Sequence, residues 1–220
     1  MDLETTELLL ANRSFMYALV ARMFAEEPDE AFAEVLASDH ARAEAGLVDA
    51  VETESIVALF DGMAGLFARH NGVSDAAGEY VRVFVGPGTL RANPWETVQL
   101  TGTRALFQTG VLELRDAYRE AGFEPVRVRE VPDDFIGIEL DFLAKLAARA
   151  QAKFVSGDVT WLDDLGCSRR FLEKHLLKWV GKLAGSIEAE YGDGFYACAC
   201  RLTELVAKRD LKTIEDLGVR

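Results

Sequence analysis

The sequence predicts an all-α protein folded as one helical domain over residues 1–220. Three observations carry that reading. Apolar residues recur at helical spacing over most of the chain. The breaks between these stretches hold Gly, Pro or Asn. One stretch alone has β-like character, Val126-Arg127-Val128, and Pro125 with alternating charges makes it an extended loop rather than a strand.

Residues 5–25 read as a helix, with Leu8, Leu9, Phe15, Met16, Leu19, Val20 and Met23 near one stripe. Glu26-Glu27-Pro28-Asp29 ends it. Asp29 opens a short helix through Ala31, Phe32 and Val35. Residues 47–70 form a longer one, closed by Asn71-Gly72. Ser74 is placed to cap the next. Tyr80, Val83 and Phe84 sit at i, i+3 and i+4 on its apolar face, and Gly86-Pro87-Gly88 stops it.

Thr103 to Ala121 is helical and ends at Gly122. Phe123 to Val131 is the extended loop. Pro132 opens a helix over 133–155, with Asp133-Asp134 in a first turn whose dipole favours anions. Ser168 to about Glu190 follows. Gly192 and Gly194 break it, Phe195 to Lys208 makes another helix, and a short one spans 210–217.

Net charge is −13, with 37 acidic against 24 basic residues. Phosphate contacts need clustered Lys and Arg, so nucleic acid is excluded as a main partner, and anionic membrane surfaces are disfavoured. Cationic partners gain in encounter rate. Acidic residues Asp2, Glu4 and Glu7 stand where a secretory signal carries positive charge. Arg22 interrupts the apolar run Phe15 to Phe24, and no stretch reaches the ~20 apolar residues of a membrane span. A cytoplasmic location without stable membrane insertion is expected. Three cysteines, an odd number, suit a reducing compartment.

Catalytic and metal signatures are weak. Cys198-Ala199-Cys200 lacks the paired spacing of structural zinc and reads as small buried cysteines. No G-x-S-x-G is present, and Gly86-Pro87-Gly88 lacks P-loop spacing. His175, between Leu172 and Leu176, reads as a core or helix-interface histidine satisfied by a hydrogen bond. No metal, cofactor or catalytic residue is expected. Glu139 and Asp141, two apart on a helix, diverge.

Three segments stand out. The first joins Glu79-Tyr80 and Phe84-Val85-Gly86-Pro87 to Pro94-Trp95-Glu96-Thr97. The second is Pro132-Asp133-Asp134-Phe135 with Glu139-Leu140-Asp141-Phe142. The third is Phe171 to Trp179, with Phe195-Tyr196 after it. In that order and spacing they resemble the signatures of the TorD/DmsD/NarJ-type cytoplasmic chaperones, over about residues 79 to 206. The first 70 residues fit only in being helical.

The resemblance implies a single-domain TorD-like helical bundle, monomer or homodimer. It implies no enzymatic activity. It implies a chaperone that binds the precursor of a molybdenum-containing oxidoreductase, through its twin-arginine leader, and supports cofactor insertion before export. Such a leader carries two arginines and then an apolar stretch. A receptor for it needs carboxylates for the guanidinium forks beside apolar walls. Glu79, Glu96, Asp133 and Asp134 are the expected carboxylates, and Tyr80, Pro87, Pro94 and Trp95 the expected walls. Phe84 reads as core. Helix capping is the competing reading of Asp133 and Asp134. Asp134 stands where the family usually has histidine, and Gln99 where an aromatic residue is common. Two other functions stay open: a chaperone of the same fold for a leaderless, cytoplasm-facing molybdoenzyme, and a nucleotide-hydrolysing enzyme using an acid cluster.

Overall fold

The computed structural model of the chain describes residues 1–86, 90–103, 109–124 and 132–219. Pro87, the Val126-Arg127-Val128 stretch, and positions 104–108 of the helix expected from Thr103 lie outside the described residues.

Among the described residues the regular structure is helical. Asp2 accepts from the Thr5 N–H at 2.8 Å and so starts α1 (Leu3–Ala25) two residues before the expected start at residue 5. Asp29 caps α2 (Glu30–Leu36) through the Phe32 N–H. Ser38 caps α3 (Asp39–Gly46), a helix the apolar pattern does not announce, since only Ala41 and Ala45 turn inward. The stretch expected at 47–70 narrows to α4 (Thr53–Phe67).

Asn71, left-handed at φ 62°, precedes α5 (Gly72–Tyr80), so the turn lies before Ser74 and Ser74 is not its cap. Helix α5 widens into a π-helical turn, Val81–Val85, and stops at Gly86 with φ 43°. The stop uses positive φ, as the Gly-Pro-Gly break requires. Short α6 (Glu96–Thr101) and α7 (Thr109–Glu120) follow.

Helix α8 spans Ile136–Val155. Asp133 and Asp134 therefore precede it rather than forming its first turn. Phe135 is extended at the cap position and leaves the acids free to serve a neighbour. The helix expected from Ser168 begins earlier, as α9 (Trp161–Phe171), widens into a second π turn, Leu172–Leu176, and continues as α10 (Leu177–Tyr191). Helix α11 runs unbroken from Phe195 to Asp216, where two helices were expected. Its polar middle is held: Asp210 accepts from Arg13 Nε and Nη2 at 2.5 and 3.0 Å and from the Tyr17 hydroxyl at 2.8 Å. Arg209 donates to the Ala45 carbonyl at 2.6 Å.

The most extensive helix pairs are α1 on α8, α10 on α11, and α8 on α9. One connected apolar core runs from Leu10 to Leu217, with Tyr17, Phe24, Phe60, Trp179 and Tyr196 fully buried. Burying such rings contributes roughly 1.5–3 kcal/mol each. No helix among the described residues is long and apolar enough to cross a membrane.

Candidate functional site

The three signature segments meet at one junction. Pro94-Trp95-Glu96 and Asp134-Phe135-Ile136 lie side by side as a two-rung antiparallel ladder. Glu96 N–H donates to the Asp134 carbonyl at 3.0 Å, Ile136 N–H donates to the Pro94 carbonyl at 3.1 Å, and Trp95 bridges Phe135. The Asp134 carboxylate then accepts from the N–H of Thr97, at 3.0 Å, and from its hydroxyl. It caps α6, the neighbouring helix, rather than the helix that follows it in sequence.

Glu96, in the first turn of α6, crosses to the second π turn. The Nδ1–H of His175 donates to its carboxylate at 3.1 Å. The hydrogen-bond reading of His175 holds, and Glu96 is its partner. Glu139, one turn into α8, accepts from the Trp179 indole N–H at 3.2 Å, while its other oxygen has no partner among the described residues. Asp141 points the other way and is exposed, paired with Lys145. Asp133 faces α7. Its carboxylate accepts from Arg115 Nε, and its carbonyl accepts from the Tyr118 hydroxyl at 3.0 Å.

The result is a dry nest of acids. Glu96 is 4% exposed, Asp133 1%, Asp134 2% and Glu139 0%. Burial, then the charge of Glu96, pushes the Glu139 carboxyl well above the usual range, so it favours the neutral form. Burial and the charges of these same four acids, Glu139 first, push the Tyr118 hydroxyl well above its usual value. Among the described residues, Arg115 and His175 are the basic side chains that reach them.

Glu79 serves elsewhere. Its two oxygens accept from the N–H groups of Phe195 and Tyr196, each at 2.9 Å, and so cap α11 from a position 116–117 residues away. Gly194 has no side chain because a Cβ there would run into this carboxylate.

The apolar walls divide. Phe84 belongs to an aromatic cluster with Phe24, Phe135 and Tyr196, at centroid distances of 5.8, 6.0 and 4.9 Å. Pro94 is buried. Tyr80 and Trp95 are half-buried and show part of their rings to solvent. The Tyr80 hydroxyl donates to the Ala25 carbonyl at the end of α1, at 3.3 Å. Burial, and then Glu27 and Glu26, raise its pKa. Val81 and Val85, on the adjoining π turn, are 37% and 58% exposed. Pro87 lies outside the described residues.

Gln99, the unusual residue, pins the loop before the ladder. Its amide donates to the Ala92 carbonyl and, at 3.0 Å, to the Asn93 carbonyl. Sequence reasoning missed Arg115, Tyr118 and the Glu139–Trp179 pair, because partners contributed through space leave no local pattern. Of the cysteines, Cys200 is buried, and burial raises its thiol pKa, whereas Cys167 and Cys198 are half-buried.

The comparisons with known proteins point one way. The family model described as nitrate reductase delta subunit matches residues 25–185. The chain is similar to the probable Tat proofreading chaperone DmsD of Haemophilus influenzae. The two are 25% identical over 125 residues, 57% of this chain and 55% of that protein. It is similar also to the chaperone protein TorD of Aliivibrio salmonicida, at 22% identity over 160 residues, 73% of this chain and 74% of that one. The matched part thus spans little more than half of the first relative.

Proposed function

The chain belongs to the nitrate reductase delta subunit family, and on that premise we propose that it is a chaperone for the precursor of an oxidoreductase. The relatives' names, a Tat proofreading chaperone and a chaperone, support this reading. In its finer form, the client is a molybdenum enzyme, its twin-arginine leader is the segment bound, and the complex forms in the cytoplasm. The chaperone holds the precursor until cofactor insertion and then releases it, with no chemical step of its own.

The observation that carries the reading is the convergence of all three signature segments on one junction flanked by half-exposed aromatic rings. Tyr80 and Trp95, with Val81 and Val85, offer apolar surface. Exposed Glu26 and Glu27 lie close enough to act on the Tyr80 hydroxyl; Glu26 pairs with Arg22 at 2.9 Å in an exposed contact that a client guanidinium can exchange with. Beside Glu26 opens a groove of about 400 Å³ between α1 and α2, lined by Phe15, Leu19, Phe32 and Val35. It suits the apolar stretch of a leader. Release after maturation calls for affinity on the order of micromolar, about −8 kcal/mol.

One observation favours the second reading, a chaperone for a leaderless client. Glu79, Glu96, Asp133 and Asp134 are buried and already accept hydrogen bonds. Affinity capture from the native cytoplasm separates the two. The proposal expects a redox-enzyme precursor that still carries a twin-arginine leader. The same enzyme class without a leader favours the second reading, and no redox-enzyme precursor at all overturns both.

A further inference from the structure

Arg115 holds Asp133 incompletely. Its Nε donates to Oδ2, while Oδ1 has no hydrogen-bond partner among the described residues, although Asp133 is 1% exposed. Two other buried aspartates in the same chain show the complete arrangement. Arg13 meets Asp210 through Nε and Nη2, one donor to each oxygen. Arg149 meets Asp164 through Nε and Nη2 as well. A guanidinium offers parallel N–H groups that match a carboxylate in this forked way. At Asp133 half of that capacity stands unused, inside a dry acidic nest where an unpaired oxygen is costly.

Arg115 is carried by helix α7 and points away from the face that lines the neighbouring core. Helix α7 buries Leu114 and Tyr118, and Ala121 just past its end is buried as well. The Arg115 side chain is itself 30% exposed. Part of it already lies in solvent, whereas Asp133 is buried and held by the ladder and by Tyr118.

We propose that Arg115 is a placeholder for a guanidinium from the client peptide. The incoming arginine replaces it and engages both oxygens of Asp133. The idea rests on the leader-binding reading and adds a reason for its selectivity. A lysine ammonium has no fork, and gains nothing over Arg115 at this carboxylate.

The test is a titration of a synthetic twin-arginine leader peptide into wild-type protein and into the Arg115→Met and Asp133→Asn variants. Arg115→Met is expected to bind about tenfold tighter than wild type, because no internal competitor remains. Asp133→Asn is expected to bind more weakly, with no gain when Arg115→Met is added. Arg115→Gln, which keeps a hydrogen-bond donor and removes the charge, covers the case in which Arg115→Met does not fold, and it too should bind tighter than wild type. A second readout needs no leader. Arginine amide is expected to raise the Tm of Arg115→Ala, and to leave wild type and the Arg115→Ala/Asp133→Asn double variant unchanged. Wild type that binds the leader, with variants at Arg115 that bind no tighter, overturns the placeholder and leaves the leader reading standing. Stabilisation by arginine amide without any leader binding keeps the guanidinium site and removes the leader reading.

Discussion

Glu96 and His175 stand 79 positions apart and meet at 3.1 Å, both nearly excluded from solvent. The contact joins the Pro-Trp-Glu-Thr segment to the π turn between α9 and α10. The signature residues of this chain therefore hold each other as much as they face a partner. Removing one side leaves a buried group without its mate. His175→Ala is expected to lower stability by about 1–3 kcal/mol, read as a fall in urea midpoint at constant slope. An unchanged midpoint contradicts the assignment.

Glu139 gives a pH signature. Burial and Glu96 hold its folded pKa well above the ordinary glutamate value. Between the two values the folded state binds more protons than the unfolded state. This residue therefore makes stability fall as pH rises, from about pH 4.3 up to its raised value. Glu139→Gln keeps an acceptor for the Trp179 indole and removes the charge. It is expected to add on the order of 1–3 kcal/mol at neutral pH and to flatten that descent. Parallel stability-against-pH curves for variant and wild type rule this account out.

Glu79 was expected to receive a client arginine, and its oxygens cap α11 instead. Glu79→Ala should cost about 1–3 kcal/mol through two unsatisfied N–H groups. Gly194→Ala should destabilise as well, since its Cβ enters the space of the same carboxylate. Chemical denaturation of the two single variants tests this. Wild-type stability in both means that the contact contributes nothing.

The exposed half of the junction should behave differently. Tyr80→Ala and Trp95→Ala are expected to weaken precursor binding at least about tenfold, in keeping with the weight that aromatic anchors carry at interfaces. The Glu26→Gln/Glu27→Gln pair should leave stability within about 0.5 kcal/mol of wild type and reduce the salt dependence of binding. A salt dependence equal to that of wild type would move the guanidinium contacts away from the end of α1.

Much of the fold was legible because a helix facing a core writes its period into the chain. Helices α1 and α8 carry broad apolar stripes and were placed within three residues at each end, and α4 was found but drawn six residues too long at its start. Helix α3 was not visible, because Ala41 and Ala45 are its whole inner face and the Ser38 cap and alanine content support it. Helix α9 was read late because Asp164 is buried against Arg149 and Lys153, so a charged residue sits where the pattern needs an apolar one. The supposed gap near residue 209 in α11 has the same cause at Arg209 and Asp210. At the site, order and spacing of motifs were legible. The depth of the acids was not, since an isolated Asp reads alike whether it meets solvent, a helix N-terminus or Arg115.

The most direct measurement is a calorimetric titration of a twin-arginine leader peptide into the folded protein, at low and at physiological salt. The account predicts saturable binding on the order of micromolar, weaker at the higher salt, and lost when both leader arginines become lysine. No saturable binding, or equal binding of the two peptides, contradicts it.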